Sequence, residues 1–261
     1  MSDVLTIGVH PIFTTTTMIS SPSKKLQGKN ATGFFFSDNN KDIYLVTNKH
    51  VIYGKNYDST KAQPLIEQIK IKLHTNPEDF TQNEDLLINL FDGKKRLWLE
   101  YDRPIADIIL IPLNLDRKKY CFHPLNRSYL EPKNIIAYFE KIFVMGYPDG
   151  LYDDIYNLPI TRIGHLSSSF RVPFKQEAPY MLGDVETHEG MSGSPVFMDL
   201  KDYFTLENGR PILQSQKRKF LLVGIYSGQY RFSNLKVRPN LITIWFPDII
   251  LWIIENNHNG N

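Results

Sequence analysis

Three segments of the chain carry side chains suited to moving an acyl group. A serine hydroxyl is a weak nucleophile until a base takes its proton and the charge growing on the attacked carbonyl is stabilised. Ser192 lies in Glu189-Gly190-Met191-Ser192-Gly193-Ser194-Pro195. Gly190 has no Cβ, so it can take the unusual backbone conformation that turns an N–H inward. Gly193 leaves room for a substrate chain. A flexible Ser/Gly loop looks similar over three residues, but it is not usually pinned between an acidic approach and a proline-led strand. His50 follows the run Tyr44-Leu45-Val46-Thr47-Asn48-Lys49. A histidine just past a buried strand is held rigidly yet faces a cleft, and an ordinary pKa of about 6.5 lets imidazole accept and return a proton. A lone histidine is more often structural. Asp107 sits in Ile105-Ala106-Asp107-Ile108-Ile109-Leu110. An aspartate with apolar flanks is costly to bury unless hydrogen-bonded, and an imidazole N–H is a suitable donor. The alternative is a strand-initiating Asp in a turn after Arg103-Pro104.

Together the three occur in the order His, Asp, Ser, at separations of 57 and 85 residues. Each lies beside a strand-like segment. That order differs from the other known orders of a Ser/His/Asp triad. Ser194 also occupies the second glycine position of a G-x-S-x-G elbow, which disfavours an α/β-hydrolase.

The elements that must hold these residues read as strands. Gly33 to Phe36 and Ile43 to Thr47 flank the turn-forming Ser37 to Asp42, which predicts a hairpin. Further strand-like runs are Ile69–Leu73, Leu86–Phe91, Leu97–Tyr101, Ile108–Ile111, Ile142–Met145, Ile160–Ile163, Pro195–Met198, Phe220–Tyr226 and Leu241–Trp245. Short strands at regular spacing predict an all-β sandwich or barrel. One helix is expected near the C-terminus: Pro247 and Asp248 suit its start, and Ile249, Trp252 and Ile253 share one face. The polar stretch Asn126 to Lys133 is the expected crossing between two barrels.

Composition narrows the function classes. The chain has 261 residues, of which 42% are hydrophobic, enough for one large all-β domain or two smaller ones. Thirty basic and 28 acidic residues leave a net charge of +2. No element carries the clustered basic charge of a nucleic-acid binder, and the short runs at Lys94–Arg96, Arg117–Lys119 and Lys217–Lys219 read as solvated loop faces. Cys121 is the single cysteine, so a disulfide framework is excluded and a reducing compartment is expected. The first ten residues lack a signal-peptide pattern. Ile249 to Ile254 falls far short of the ~20 residues that span a bilayer. A soluble cytoplasmic protein is the expectation.

These segments resemble the trypsin-like peptidases of the chymotrypsin superfamily, closest in style to bacterial Deg-type and glutamyl-endopeptidase-like members. Ala31-Thr32-Gly33-Phe34 is similar to the strand before the histidine hairpin, and Val46 to Val51 to the histidine motif. Ala106 to Leu110 resembles the aspartate motif, and Gly190 to Pro195 the nucleophile motif. Gly146-Tyr147-Pro148 resembles a turn common in the second barrel. Val223 to Gly228 is similar to the strand that pairs with substrate and walls the S1 pocket.

The resemblance implies an all-β fold of two six-stranded chymotrypsin-like β-barrels with a C-terminal α-helix. Residues 1–125 would form the barrel carrying His50 and Asp107. Residues 126–261 would form the barrel carrying Ser192, with the helix at about 248–256. It also implies a serine endopeptidase with a His50/Asp107/Ser192 triad and an oxyanion hole from the N–H groups of Gly190 and Ser192. Substrate would meet Thr187, Tyr226, Ser227 and Gly228. No metal or organic cofactor is implied. The partner is a protein or peptide substrate, with neither nucleic acid nor membrane.

Three departures matter. Met191 replaces the acidic residue that precedes the serine in trypsin-like zymogen enzymes, so activation by N-terminal clipping is not expected. With only a few residues after the expected C-terminal helix, an appended peptide-binding module is not expected. Tyr226 stands where glutamyl-specific enzymes place a histidine, so their specificity does not carry over. Glu186, near the base of the expected S1 pocket, would favour Arg or Lys at P1. His188 and His165 read as loop and strand-end histidines, and Cys121 as a small buried apolar residue. Two alternatives stay open: a catalytically silent domain that binds extended peptides, and an accessory subunit of a larger intracellular system gated by a regulatory protein partner.

Overall fold

A computed structural model describes residues 9–22, 30–39, 42–54, 57–59, 61–101, 106–132, 135–136, 140–176, 178–207, 210–230 and 240–258. Asn40, Lys41, Arg103 to Ile105, Lys133 and Asn259 to Asn261 lie outside the described residues, and with them parts of the expected hairpin turn, of the turn before Asp107 and of the crossing.

The fold is mostly β and chymotrypsin-like, with the C-terminal helix in place. A first sheet collects β1 (Thr16–Ser20), β2 (Asn30–Asp38), β3 (Asp42–Thr47), β4 (Gln68–His74), β5 (Asn83–Asn89), β8 (Leu99–Glu100) and β9 (Ile109–Leu113) in the order β5-β4-β1-β2-β3-β9-β8. The short strands β6 (Phe91–Asp92) and β7 (Lys95–Arg96) pair with each other. The second sheet holds β10 (Ile135–Ile136), β11 (Lys141–Gly146), β12 (Ile160–Leu166), β13 (Tyr180–Asp184), β14 (Pro195–Glu207), β15 (Arg210–Gln229) and β16 (Leu241–Trp245). Its order is β10-β14-β11-β12-β13-β16-β15, and β14 also pairs with β15. Six of these strands thereby close into a barrel. The first sheet instead curls without closing among the described residues, since its end strands β5 and β8 do not pair with each other. Among the described residues the α-helices are α1 (Lys49–Tyr53) and α2 (Asp248–His258).

The continuous apolar runs of the central strands follow from burial on both faces. In β2, Phe35 turns into the first sheet's own core while Phe34 and Phe36 face the second sheet. The same alternation separates Leu45 from Tyr44 and Val46 in β3, and Ile109 and Ile111 from Leu110 in β9. The inter-sheet core joins these residues to Met145, Leu182, Phe197, Leu222, Ile225 and Trp245, and α2 caps it with Ile249, Ile250, Ile253 and Ile254. Burying each such side chain contributes about 1.5–3 kcal/mol. A third core, around Ile142, Val144, Met181, Val196, Val223 and Ile244, fills the closed barrel. The two sheets are thus fixed against each other by packed side chains, and the ends of β3, β9, β14 and β15 converge on one place.

Candidate active site

His50 stands on the one-turn helix α1, which starts where β3 ends. Asn48, still extended at φ −82° and ψ 148°, precedes it. The turn is pinned to β8 by Lys49 Nζ on Glu100 Oε2 at 2.6 Å and by the Tyr53 hydroxyl donating to Glu100 Oε1 at 3.0 Å. Burial, and then the Glu100 carboxylate, push the Tyr53 phenol up to about 12, so it stays a donor.

Asp107 lies just before β9 and is 0% exposed. Its burial is tolerated because donors surround it. The His50 backbone N–H donates to Oδ1 at 2.9 Å, and His50 Nδ1 lies 2.6 Å from Oδ2. Ser227 Oγ donates to Oδ2 at 2.5 Å, and Asn48 Nδ2 donates to the Asp107 carbonyl at 2.7 Å. With Nδ1–H turned to the carboxylate, the other ring nitrogen is free to accept a proton. That atom, His50 Nε2, is 2.9 Å from Ser192 Oγ. The structure therefore brings His50, Asp107 and Ser192 into one hydrogen-bonded chain, with the first two supplied by the first sheet and Ser192 by the approach to β14.

The loop before β14 has a special backbone. Gly190 has φ +91° and Gly193 φ +89°. A Cβ on Gly193 would lie 2.1 Å from the Thr32 carbonyl oxygen, so only glycine fits. Thr32 of β2 grips the loop from the other sheet. Its N–H donates to the Ser192 carbonyl at 2.8 Å, and its hydroxyl donates to the Gly190 carbonyl at 2.9 Å. Among the described residues no acceptor receives the N–H of Gly190 or of Ser192. Such N–H groups are available to an incoming oxyanion.

Thr187 and Tyr226 lie behind this loop, both buried, with Thr187 Oγ1 and the Tyr226 hydroxyl 2.9 Å apart. Burial raises the Tyr226 phenol above its ordinary pKa. The Tyr226 carbonyl accepts the Gly193 N–H at 3.0 Å, and its N–H donates to the Ser194 carbonyl at 2.9 Å. Ser227 is the extra residue of a β-bulge, since Tyr226 pairs with Ile244 and Gly228 with Thr243. Bulges re-aim side chains, and this one aims the Ser227 hydroxyl at Asp107. A Cβ on Gly228 would meet nothing within 4 Å, so its backbone borders open space.

Glu186 is not in the base of a pocket: its side chain is 69% exposed and pairs with Arg162 at 2.6 Å. Just past the end of β13, Glu186 is exposed and Thr187 buried. His165 is exposed on β12, and His188 sits 3.6 Å from Asp149 Oδ2. Cys121 is a half-buried free thiol whose pKa burial raises. Asn48 and Thr32 are the site residues that sequence reasoning missed; Asn48 sits two residues before His50, but its bond to the Asp107 backbone is long-range.

Residues 31–202 match the family model of the trypsin-like peptidase domain. No curated protein matches the sequence. Among solved structures, the HtrA-type protease AlgW with a tripeptide has a TM-score of 0.52 and 14% identity over 94% of this chain. The match spans only 60% of that protein. The Rv3671c protease of M. tuberculosis in its active form has a TM-score of 0.49 and 16% identity over 93% of this chain and 80% of that chain.

Proposed function

Since the chain belongs to the trypsin-like peptidase family and is a serine-type peptidase, we propose that it cleaves internal peptide bonds through an acyl-enzyme on Ser192. The observation that carries this reading is the unbroken chain from buried Asp107 through His50 to Ser192, with spacings of 2.6 and 2.9 Å.

His50 Nε2 takes the Ser192 Oγ proton as Oγ attacks the scissile carbonyl carbon. The C=O electron pair moves to oxygen, and the resulting oxyanion accepts from the N–H groups of Gly190 and Ser192. Asp107 stabilises the imidazolium through Nδ1–H and holds its orientation. His50 then gives its proton to the leaving nitrogen as the C–N bond breaks. Water enters by the same base, attacks the ester and releases the acid, which restores the Ser192 hydroxyl.

Thr187, Tyr226 and Gly228 are proposed to border the substrate residue before the scissile bond, and the backbone at Ser227 to pair with substrate. The Ser227 hydroxyl serves Asp107. The proposed substrates are proteins or peptides in a reducing, cytoplasmic setting, a reading supported by the lone Cys121. Residues 1–125 and 126–261 are proposed as two units, a curled half-barrel and a closed barrel, a division supported by the separate strand sets of the two sheets.

The test is digestion of an unfolded protein, with new N-termini mapped by mass spectrometry for wild type and Ser192→Ala. Internal cleavages by wild type alone support the reading. An inert, folded wild type, or cleavage that survives the substitution, overturns it.

A further inference from the structure

An oxyanion hole works only if its N–H groups are aimed, and the surroundings of Gly190 identify what aims one of them. A trans peptide is planar, so fixing its carbonyl sends its N–H the opposite way. The Gly190 N–H shares a peptide with the Glu189 carbonyl. That carbonyl accepts the backbone N–H of Asp149 at 2.5 Å. The Gly190 N–H therefore points away from the turn that holds Asp149.

This turn, Pro148–Gly150, follows β11 and Tyr147. Asp149 occupies it at φ 50° and ψ 24°, a left-handed conformation that few non-glycine residues adopt. The turn lies directly against Gly190, where a Cβ would come within 2.3 Å of the Tyr147 carbonyl oxygen and 3.1 Å of the Asp149 nitrogen. Its base is rigid. Tyr147 is 1% exposed, its N–H donates to Thr32 Oγ1 at 3.1 Å, and its hydroxyl donates to the Asn157 carbonyl at 3.3 Å. Met191, 0% exposed, supplies no charge that could orient the loop instead.

We propose that Asp149 is a positioning residue. Its left-handed backbone holds the Glu189–Gly190 peptide in the oxyanion-binding orientation, so the turn at 147–150 sets the turnover rate. This inference rests on the catalytic reading of Ser192 given above.

The Asp149 side chain is 56% exposed, with its Oδ2 3.6 Å from His188 Nδ1, so substitution there removes little packing and acts chiefly through φ. Asp149→Gly and Asp149→Asn both tolerate the left-handed region, and Asn also deletes the charge facing His188. Asp149→Val disfavours it strongly and Asp149→Ala more mildly. The readouts are kcat and KM on a peptide substrate and the pH dependence of kcat/KM, with thermal midpoints checking the fold. Asp149→Val is expected to lose at least tenfold in kcat with KM within threefold and an unchanged pH profile. Asp149→Ala is expected to lose less, and the Gly and Asn variants to stay within threefold of wild type. Wild-type kcat in folded Asp149→Val overturns the proposal, as does an equal loss in Gly, Asn and Val. If the Val variant does not fold, the ordering of Ala below Gly and Asn decides the matter. A wild type with no Ser192-dependent turnover overturns the catalytic reading itself, which no result at position 149 alone would do.

Discussion

The Ser227 hydroxyl donates to Oδ2 of Asp107, the same oxygen that His50 Nδ1 approaches at 2.6 Å. Two residues 120 positions apart are joined because a bulge in β15 adds one residue opposite β16. Asp107 is thus oriented from both sheets. Deleting the hydroxyl leaves the backbone in place and removes one charge-assisted bond of about 1.5–3 kcal/mol. Ser227→Ala should lower kcat by about 10- to 100-fold with KM nearly unchanged. Steady-state kinetics on one peptide substrate checks this; a loss confined to KM would place Ser227 on the substrate alone.

Asn48 supports Asp107 from the backbone side. It is 0% exposed and its Nδ2 donates to the Asp107 carbonyl at 2.7 Å. Asn48→Ala leaves that buried carbonyl unpaired, at a cost of about 1–3 kcal/mol. The thermal midpoint should fall by roughly 2–4 °C per kcal/mol for a chain of this size, and kcat should fall with it. Calorimetry beside kinetics checks both. A variant with wild-type stability would show that the bond is replaced by water.

A pH dependence of stability follows from buried His74 and half-buried His123. Burial lowers the pKa of His74, whose Nε2 lies 2.6 Å from the Tyr156 carbonyl oxygen, and also that of His123, with His10 adding to the effect. Both are depressed below the unfolded value, so below about pH 6.5 the unfolded chain binds more protons than the folded one. Their contribution is complete above that pH and is lost as pH falls through the folded values. Urea midpoints at about pH 7.5 and about pH 5.5 should converge in His74→Gln relative to wild type. An unchanged gap would assign the acid sensitivity to His123 or to the carboxylates.

Much of this architecture could be read from local pattern. The hairpin of β2 and β3, the strands β4, β9, β11, β12 and β16, and the helix α2 each announce themselves by apolar runs or by Pro247-Asp248. Two strands do not. β1, Thr-Thr-Met-Ile-Ser, is threonine-rich, and its Thr16 and Thr17 are buried by pairing with β2 rather than by hydropathy. β13, Tyr180 to Asp184, contains Gly183 and lies between β12 and β16, a placement only the closed barrel dictates. The ladder of β14 and β15 runs well beyond Met198 and starts well before Phe220, from Pro195 paired with Ile225 out to Glu207 paired with Arg210. In the site, His50, Asp107 and Ser192 stand out because each carries its reactive side chain next to a buried strand. Ser227, Asn48, Thr32 and Asp149 act through a bulge, a backbone carbonyl, a sheet-to-sheet contact and a left-handed turn. Such relations arise from tertiary register and leave no local signature.

The most direct measurement of the central claim is labelling with a fluorophosphonate probe, followed by mapping of the modified peptide. Phosphonylation requires an activated serine and does not depend on knowing the substrate. Wild type should gain one adduct, on Ser192, lost in Ser192→Ala and strongly slowed in His50→Ala. Folded wild type that stays unlabelled, or an adduct on another residue, would contradict an activated Ser192.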